Sequence, residues 1–137
     1  MKISLMFLLT ILLSAGCDFS DDVLFHDNPD GLPGEWLLVE TSFSAGAEQE
    51  YREVKNGGRY TFRTDGTFTS TQLDGCGRGT YQLKDDKLIL VYDCDTRDSP
   101  NPFTFRITFE DNYFMLSPIS IMCIEGCTSK FKKVKEE

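Results

Sequence analysis

The sequence predicts an all-β protein, an eight-stranded antiparallel up-and-down barrel, with a β-sandwich as the alternative. Three observations carry that expectation. From Gly34 onward apolar and polar residues alternate with a period of two, as in Phe103, Phe105, Ile107 and Phe109 against Thr104, Arg106 and Thr108. The alternating runs are short and divided by turn chemistry at Asn56-Gly57-Gly58, Asp65-Gly66, Asp85-Asp86 and Asp111-Asn112. Consecutive hairpins of this kind close most simply into a barrel, which leaves no sheet edge.

In chain order, strands are expected near 35–43, 58–64, 66–72, 78–84, 87–93, 102–109, 112–118 and 128–134. Tyr60 and Phe62 share one face, with Thr61 and Arg63 on the other. Asp65-Gly66 is a strong tight-hairpin signal between the second and third strands. The run Leu88-Ile89-Leu90-Val91-Tyr92 is apolar on both faces, which predicts cover on both sides, by the long loop after the first strand. Residues 44–56 are the one candidate helix or long loop. Ala47 to Lys55 is rich in helix formers, and Tyr51, Val54 and Ala47 can share a helical face. A short helix, a capping flap and a solvated loop all fit.

The first residues are of another kind. Lys2 is followed by an apolar run from Ile3 to Leu13, too short to span a bilayer, and then by Ser14-Ala15-Gly16-Cys17. This resembles the lipobox of bacterial lipoproteins. The resemblance implies a signal peptide over 1–16, removed before Cys17, and acylation of Cys17. Bacterial lipoproteins carry two or three acyl chains, and two or more hold a protein firmly to a membrane. Residues 17–33, rich in Asp, Ser, Asn, Pro and Gly, read as a lipid-anchored flexible tether, with the folded domain over 34–137. In some bacteria an Asp directly after the lipid cysteine retains a lipoprotein in the inner membrane. In others an acidic patch there resembles a signal for export to the outer face of the outer membrane. Asp18, Asp21 and Asp22 favour the outer membrane of a Gram-negative cell, on its periplasmic or surface side.

Losing residues 1–16 leaves 121 of the 137 residues, one domain with room for a real core. Net charge is −8, and −9 without Lys2. That excludes nucleic acid as a partner and disfavours adsorption on anionic lipid.

Gly34-Glu35-Trp36 opens the first strand, and seven further strands follow, ending at Lys130-Phe131-Lys132-Lys133-Val134. The Gly-x-Trp triplet in that position resembles the lipocalin-like domains of small bacterial lipoproteins, over residues 34–134. The blocks Asp65-Gly66-Thr67-Phe68, Cys76 to Tyr81 and Cys123 to Cys127 are similar to blocks of that group. A small lipoprotein domain with a Gly-Cys-x-x-x-x-Gly-x-Tyr block is a weaker second resemblance, echoed at shorter spacing by Gly75-Cys76 and Gly79-Thr80-Tyr81. The lipocalin resemblance implies Trp36 at the closed end of the barrel, packed by a basic residue of the last strand. Lys132 or Lys133 would stand where the usual Arg is absent.

With Cys17 lipidated, Cys76, Cys94, Cys123 and Cys127 remain, an even number that reads as two disulfides in an exported protein. Three connectivities are possible. If Lys84 and Lys87 flank the Asp85-Asp86 turn, Gly77 faces Cys94, and Cys76 lies one residue away from it. That favours Cys76–Cys94, with Cys123–Cys127 closing a turn over Glu125-Gly126. A zinc site is disfavoured by the C-x3-C spacing, and calcium at Asp93, Asp95 and Asp98 lacks a recognised loop.

Catalysis finds few parts. His26, the one histidine, lies in the tether, and the acidic residues scatter over turns. The chain reads as a non-enzyme without a cofactor or metal. Binding is the stronger expectation: an eight-stranded interior is either packed by side chains or just wide enough for one small ligand. Trp36, Tyr60, Phe62, Phe68, Tyr81, Tyr92, Phe103, Phe105, Phe114 and Phe131 could line such a pocket or equally fill it. One reading is a membrane-anchored carrier of a small apolar ligand, with Trp36 at its floor and 44–56 at its rim. The alternative is a packed barrel serving as a protein-interaction or inhibitor module of the envelope.

Overall fold

The structure is a computed structural model, and it describes residues 31–44, 48–96, 99–121, 123 and 126–135. Cys17, His26, Ala47, Asp98, the expected signal segment and most of the expected tether lie outside them. The chain forms β1 (Gly34–Phe43), β2 (Glu50–Glu53), β3 (Arg59–Phe62), β4 (Thr67–Ser70), β5 (Arg78–Lys84), β6 (Lys87–Tyr92), β7 (Phe103–Glu110), β8 (Tyr113–Pro118) and β9 (Cys127–Lys133). β3 to β9 pair in chain order, all antiparallel, and β1 pairs with β9 along Trp36 to Phe43. First and last strands are joined, so the sheet is a closed barrel and the sandwich alternative falls.

Nine segments make eight staves. β1 binds β3 through Gly34 to Leu37 and β2 through Glu40 to Phe43, on the same edge. β2 and β3 are thus two halves of one broken stave. The helix considered for 44–56 is corrected here: Glu50 to Glu53 is a strand, and all four of its residues are exposed. Intrinsic helix preference is worth only tenths of a kcal/mol per residue, and the ladder to β1 overrides it.

The turns follow their chemistry. Asp85-Asp86 is a two-residue loop between paired Lys84 and Lys87, and Asp85 takes a left-handed φ of 54°. Asp111-Asn112 does the same between Glu110 and Tyr113. The Asp65-Gly66 hairpin is one residue longer than a tight turn. Arg63 N–H donates to the Thr67 carbonyl, leaving a three-residue loop with Gly66 at φ 82°. The Asp65 carboxylate accepts from the Thr67 hydroxyl and amide, which hold its pKa below the ordinary value.

The core is the barrel interior, with Trp36, Leu88 and Phe114 fully enclosed. β6 is covered on one side only. Leu88, Leu90 and Tyr92 face inward, whereas Val91 is 43% exposed on the outer wall. Its apolar outer face reflects β propensity, not a second layer. A bulge at Val39 in the β1–β9 ladder flips the alternation of β1. Beyond it Ser42 stands on the outer face, buried under Gln49, whose amide reaches both Ser42 Oγ and Thr128 Oγ1. Phe43 turns instead to the rim, 61% exposed.

Candidate functional site

The two ends of the barrel differ. Short turns 63–66, 85–86 and 111–112 gather at the end where the chain enters at Gly31. The ends of β4, β6 and β8, from which the longer connections leave, lie at the other, with both disulfides.

At the short-turn end Trp36 explains the Gly-x-Trp triplet. Its Nε1–H donates to the Leu32 carbonyl at 2.8 Å, and Leu32 itself is buried beneath the barrel. Lys133 Nζ stands 5.3 Å from the indole centroid and donates to the Gly31 carbonyl at 3.4 Å. A Cβ on Gly34 would press on Lys133 Cε at 3.2 Å, so glycine there leaves the path by which the lysine crosses the ring. Of the two expected basic partners the structure selects Lys133. Lys132 turns outward, over the ring of Tyr113.

Above Trp36 the interior is filled by rings. Phe114 lies 4.6 Å from Trp36 and 4.9 Å from Phe131, centroid to centroid. Phe62 touches Tyr81, Phe68 and Tyr60 at 5.0, 6.0 and 5.4 Å. Gly79 pairs with both Phe68 and Tyr92, and the missing side chain between them lets those rings meet edge to face at 5.0 Å. Every residue expected inside the barrel faces inward. Trp36, Tyr60, Phe62, Phe68, Tyr92, Phe103, Phe114 and Phe131 are buried, and Phe105 is half-buried toward the long-loop end. Trp36 itself is fully buried beneath the Phe114 ring.

Toward the long loops the lining becomes polar. The Tyr60 and Tyr92 hydroxyls lie 3.4 Å apart. Burial, then the neighbouring Tyr92, pushes the Tyr60 pKa well above the ordinary phenol value. Ser70 is buried on the same face, and Gln72 follows it at the same parity. The Gln72 Nε2 atom is buried against Gly58 without a hydrogen-bond partner among the described residues. Such an orphaned donor is uncommon and costs about 1–3 kcal/mol of desolvation. Sequence reading passed over Ser70 and Gln72, although the alternation Phe68-x-Ser70-x-Gln72 places all three on one face.

Cys76 is joined to Cys94 with Cα atoms 5.8 Å apart, and Cys123 to Cys127 at 5.9 Å. The β5–β6 register, with Leu83 opposite Leu88, brings Cys76 beside Cys94 as the hairpin count expected. Open grooves run along the outer wall, one over β4–β5–β6 and one beside β1, β2 and β9. No group of three or more His, Cys, Asp or Glu among the described residues is placed to hold a metal.

Comparison with known proteins agrees with this geometry. The model of the lipocalin-like domain family matches residues 32–115, more than half of the chain. Among solved structures the chain is similar to a DUF4847 family protein from Bacteroides vulgatus ATCC 8482, 18% identical, over 76% of this chain and 94% of that one, with a TM-score of 0.51. It is also similar to a lipocalin-like protein from Bacteroides uniformis ATCC 8492, 21% identical, over 75% and 98%, with a TM-score of 0.50. No curated protein matches it. A closed eight-stave barrel with Gly-x-Trp at its sealed end is an architecture able to enclose a binding cavity, and this chain belongs to the lipocalin-like domain family.

Proposed function

We propose that this chain is a cell-envelope lipoprotein, held to the membrane by acylated Cys17, whose barrel binds a small, mainly apolar ligand in its long-loop half. The observation that carries the reading is the change in the interior along the barrel axis. In the sealed half the rings of Trp36, Phe62, Phe114 and Phe131 contact one another. The other half offers the half-buried Phe105 ring, two tyrosine hydroxyls and the unpartnered Gln72 amide. A molecule with an apolar body and one hydrogen-bond acceptor matches that set. Two disulfides and the lipobox-like segment support an oxidising, extracytoplasmic site.

Native mass spectrometry of the purified protein, with and without reductant, tests the ligand. A retained small-molecule mass, lost in Gln72→Leu or Phe105→Arg, is expected. A bare mass in every preparation, with no uptake of an apolar fluorescent probe, overturns the reading. Cys17→Ser tests the anchor: the protein should move from the membrane to the soluble fraction and lose palmitate labelling.

A second reading rests on Phe43, Ile119 and Ile121, exposed apolar residues at the long-loop end. They suit a protein-interaction module. A bare native mass, together with an envelope partner lost on Phe43→Asp, would favour it.

A further inference from the structure

The broken stave leaves a strand edge open. β3 is paired on both sides, to β1 and β4, but β2 is paired to β1 alone. The β3–β4 pairing does not extend to β2, and the outer edge of Glu50 to Glu53 has no backbone partner among the described residues. The register shows which groups point outward. Val54 N–H donates to the Val39 carbonyl, so 54 and 39 are a hydrogen-bonded pair, and by alternation so are Arg52 with Thr41 and Glu50 with Phe43. The free N–H and C=O groups therefore belong to residues 49, 51 and 53.

We propose that this edge pairs with the same edge of a second copy of the chain, antiparallel, with Tyr51 opposite Tyr51. In that register the outward groups of Tyr51 meet those of its counterpart, and 49 meets 53. Glu50 falls opposite Arg52 in the non-hydrogen-bonded pairs, where side chains are closest, at about 4.5 Å between Cα atoms. Within one chain Glu50 and Arg52 already lie 3.8 Å apart on one face. Two copies make a four-charge square of alternating sign. A shift of one residue puts Glu50 opposite Glu53 and turns the outward groups out of step. Short, charged edges discourage pairing with arbitrary strands, and this one is complementary to itself. The inference is independent of what the barrel holds.

Disulfide trapping in intact cells, on the full chain, tests it. Tyr51→Cys should give a reducible dimer, since its two Cα atoms would stand about 5.5 Å apart. Glu53→Cys, equally exposed, should not, because its two copies are offset by about 13 Å along the strands. In the Tyr51→Cys background, Arg52→Glu should abolish the dimer and Glu50→Arg with Arg52→Glu should restore it. Equal trapping at 51 and 53, absence of trapping at 51 in a folded protein, or failure of the double exchange to restore it overturns the pairing. If the cysteine variants do not fold, sedimentation of the unmodified protein decides: a concentration-dependent dimer, lost in Arg52→Glu and restored by the exchange, supports it, and a monomer throughout refutes it.

Discussion

Phe114→Ala probes the packed half of the barrel most sharply. Phe114 is fully enclosed, and its ring meets those of Trp36, Phe62, Phe109 and Phe131 within 4.6–6.4 Å. Buried Phe→Ala changes cost about 3–5 kcal/mol, more where the walls cannot collapse. Here the walls are rings on four strands already fixed by ladder bonds, so about 4 kcal/mol is expected, a large share of a typical domain's stability. With a urea m-value of about 1.5 kcal/mol/M, the midpoint should fall by roughly 2.5 M. Trp36, the one tryptophan, touches Phe114 and reports the transition by its fluorescence. Phe43→Ala, at the exposed rim, should move the midpoint by less than about 0.5 kcal/mol equivalent. The void is apolar and should bind benzene, recovering part of the loss. A cost of under about 1 kcal/mol for Phe114→Ala would refute the claim that this half is solid.

Other expectations follow from the same contacts. Removing Cys76–Cys94, which closes 18 residues, should cost about 3 kcal/mol on the chain-entropy model, and removing Cys123–Cys127, which closes 4, about 2, both read from urea unfolding. Tyr60 is neutral and buried, and its folded pKa is raised, so its contribution is complete below the unfolded phenol value near 10 and is lost as pH climbs above it. Unfolding followed across pH 9–12 should show less alkaline destabilisation in Tyr60→Phe than in the unmodified protein. Gly79→Ala should destabilise by several kcal/mol or prevent folding, because a Cβ there runs into the Val91 carbonyl, and circular dichroism will show which. Lys133→Met should shift Trp36 emission and cost about 0.5–2 kcal/mol, with Lys133→Arg recovering most of it.

Much of the barrel was legible because hairpin turns and the two-residue period report on neighbours in sequence. Asp85-Asp86 alone set the β5–β6 register, and with it the Cys76–Cys94 bridge. What was missed depends on distant partners. β2 carries a helix-former's composition and becomes a strand because β1 offers it an edge. The bulge at Val39 hides inside the apolar run Leu37-Leu38-Val39, so the outward Ser42 and the rim position of Phe43 could not be counted from Trp36. Whether the rings line a cavity or fill it depends on how they interlock, and composition serves both outcomes. Gln72 was invisible because a lone amide is remarkable only once its surroundings show no partner.

The joining of β1 to β9 around the buried rings is tested most directly by amide hydrogen exchange. Backbone amides of Leu37, Leu38, Phe131 and Lys132 that are bonded within the ladder should exchange only through global unfolding, while those of the exposed turn residues Lys55 and Asn56 exchange orders of magnitude faster. Exchange of the β1–β9 amides at the pace of that turn would mean that the barrel is not closed.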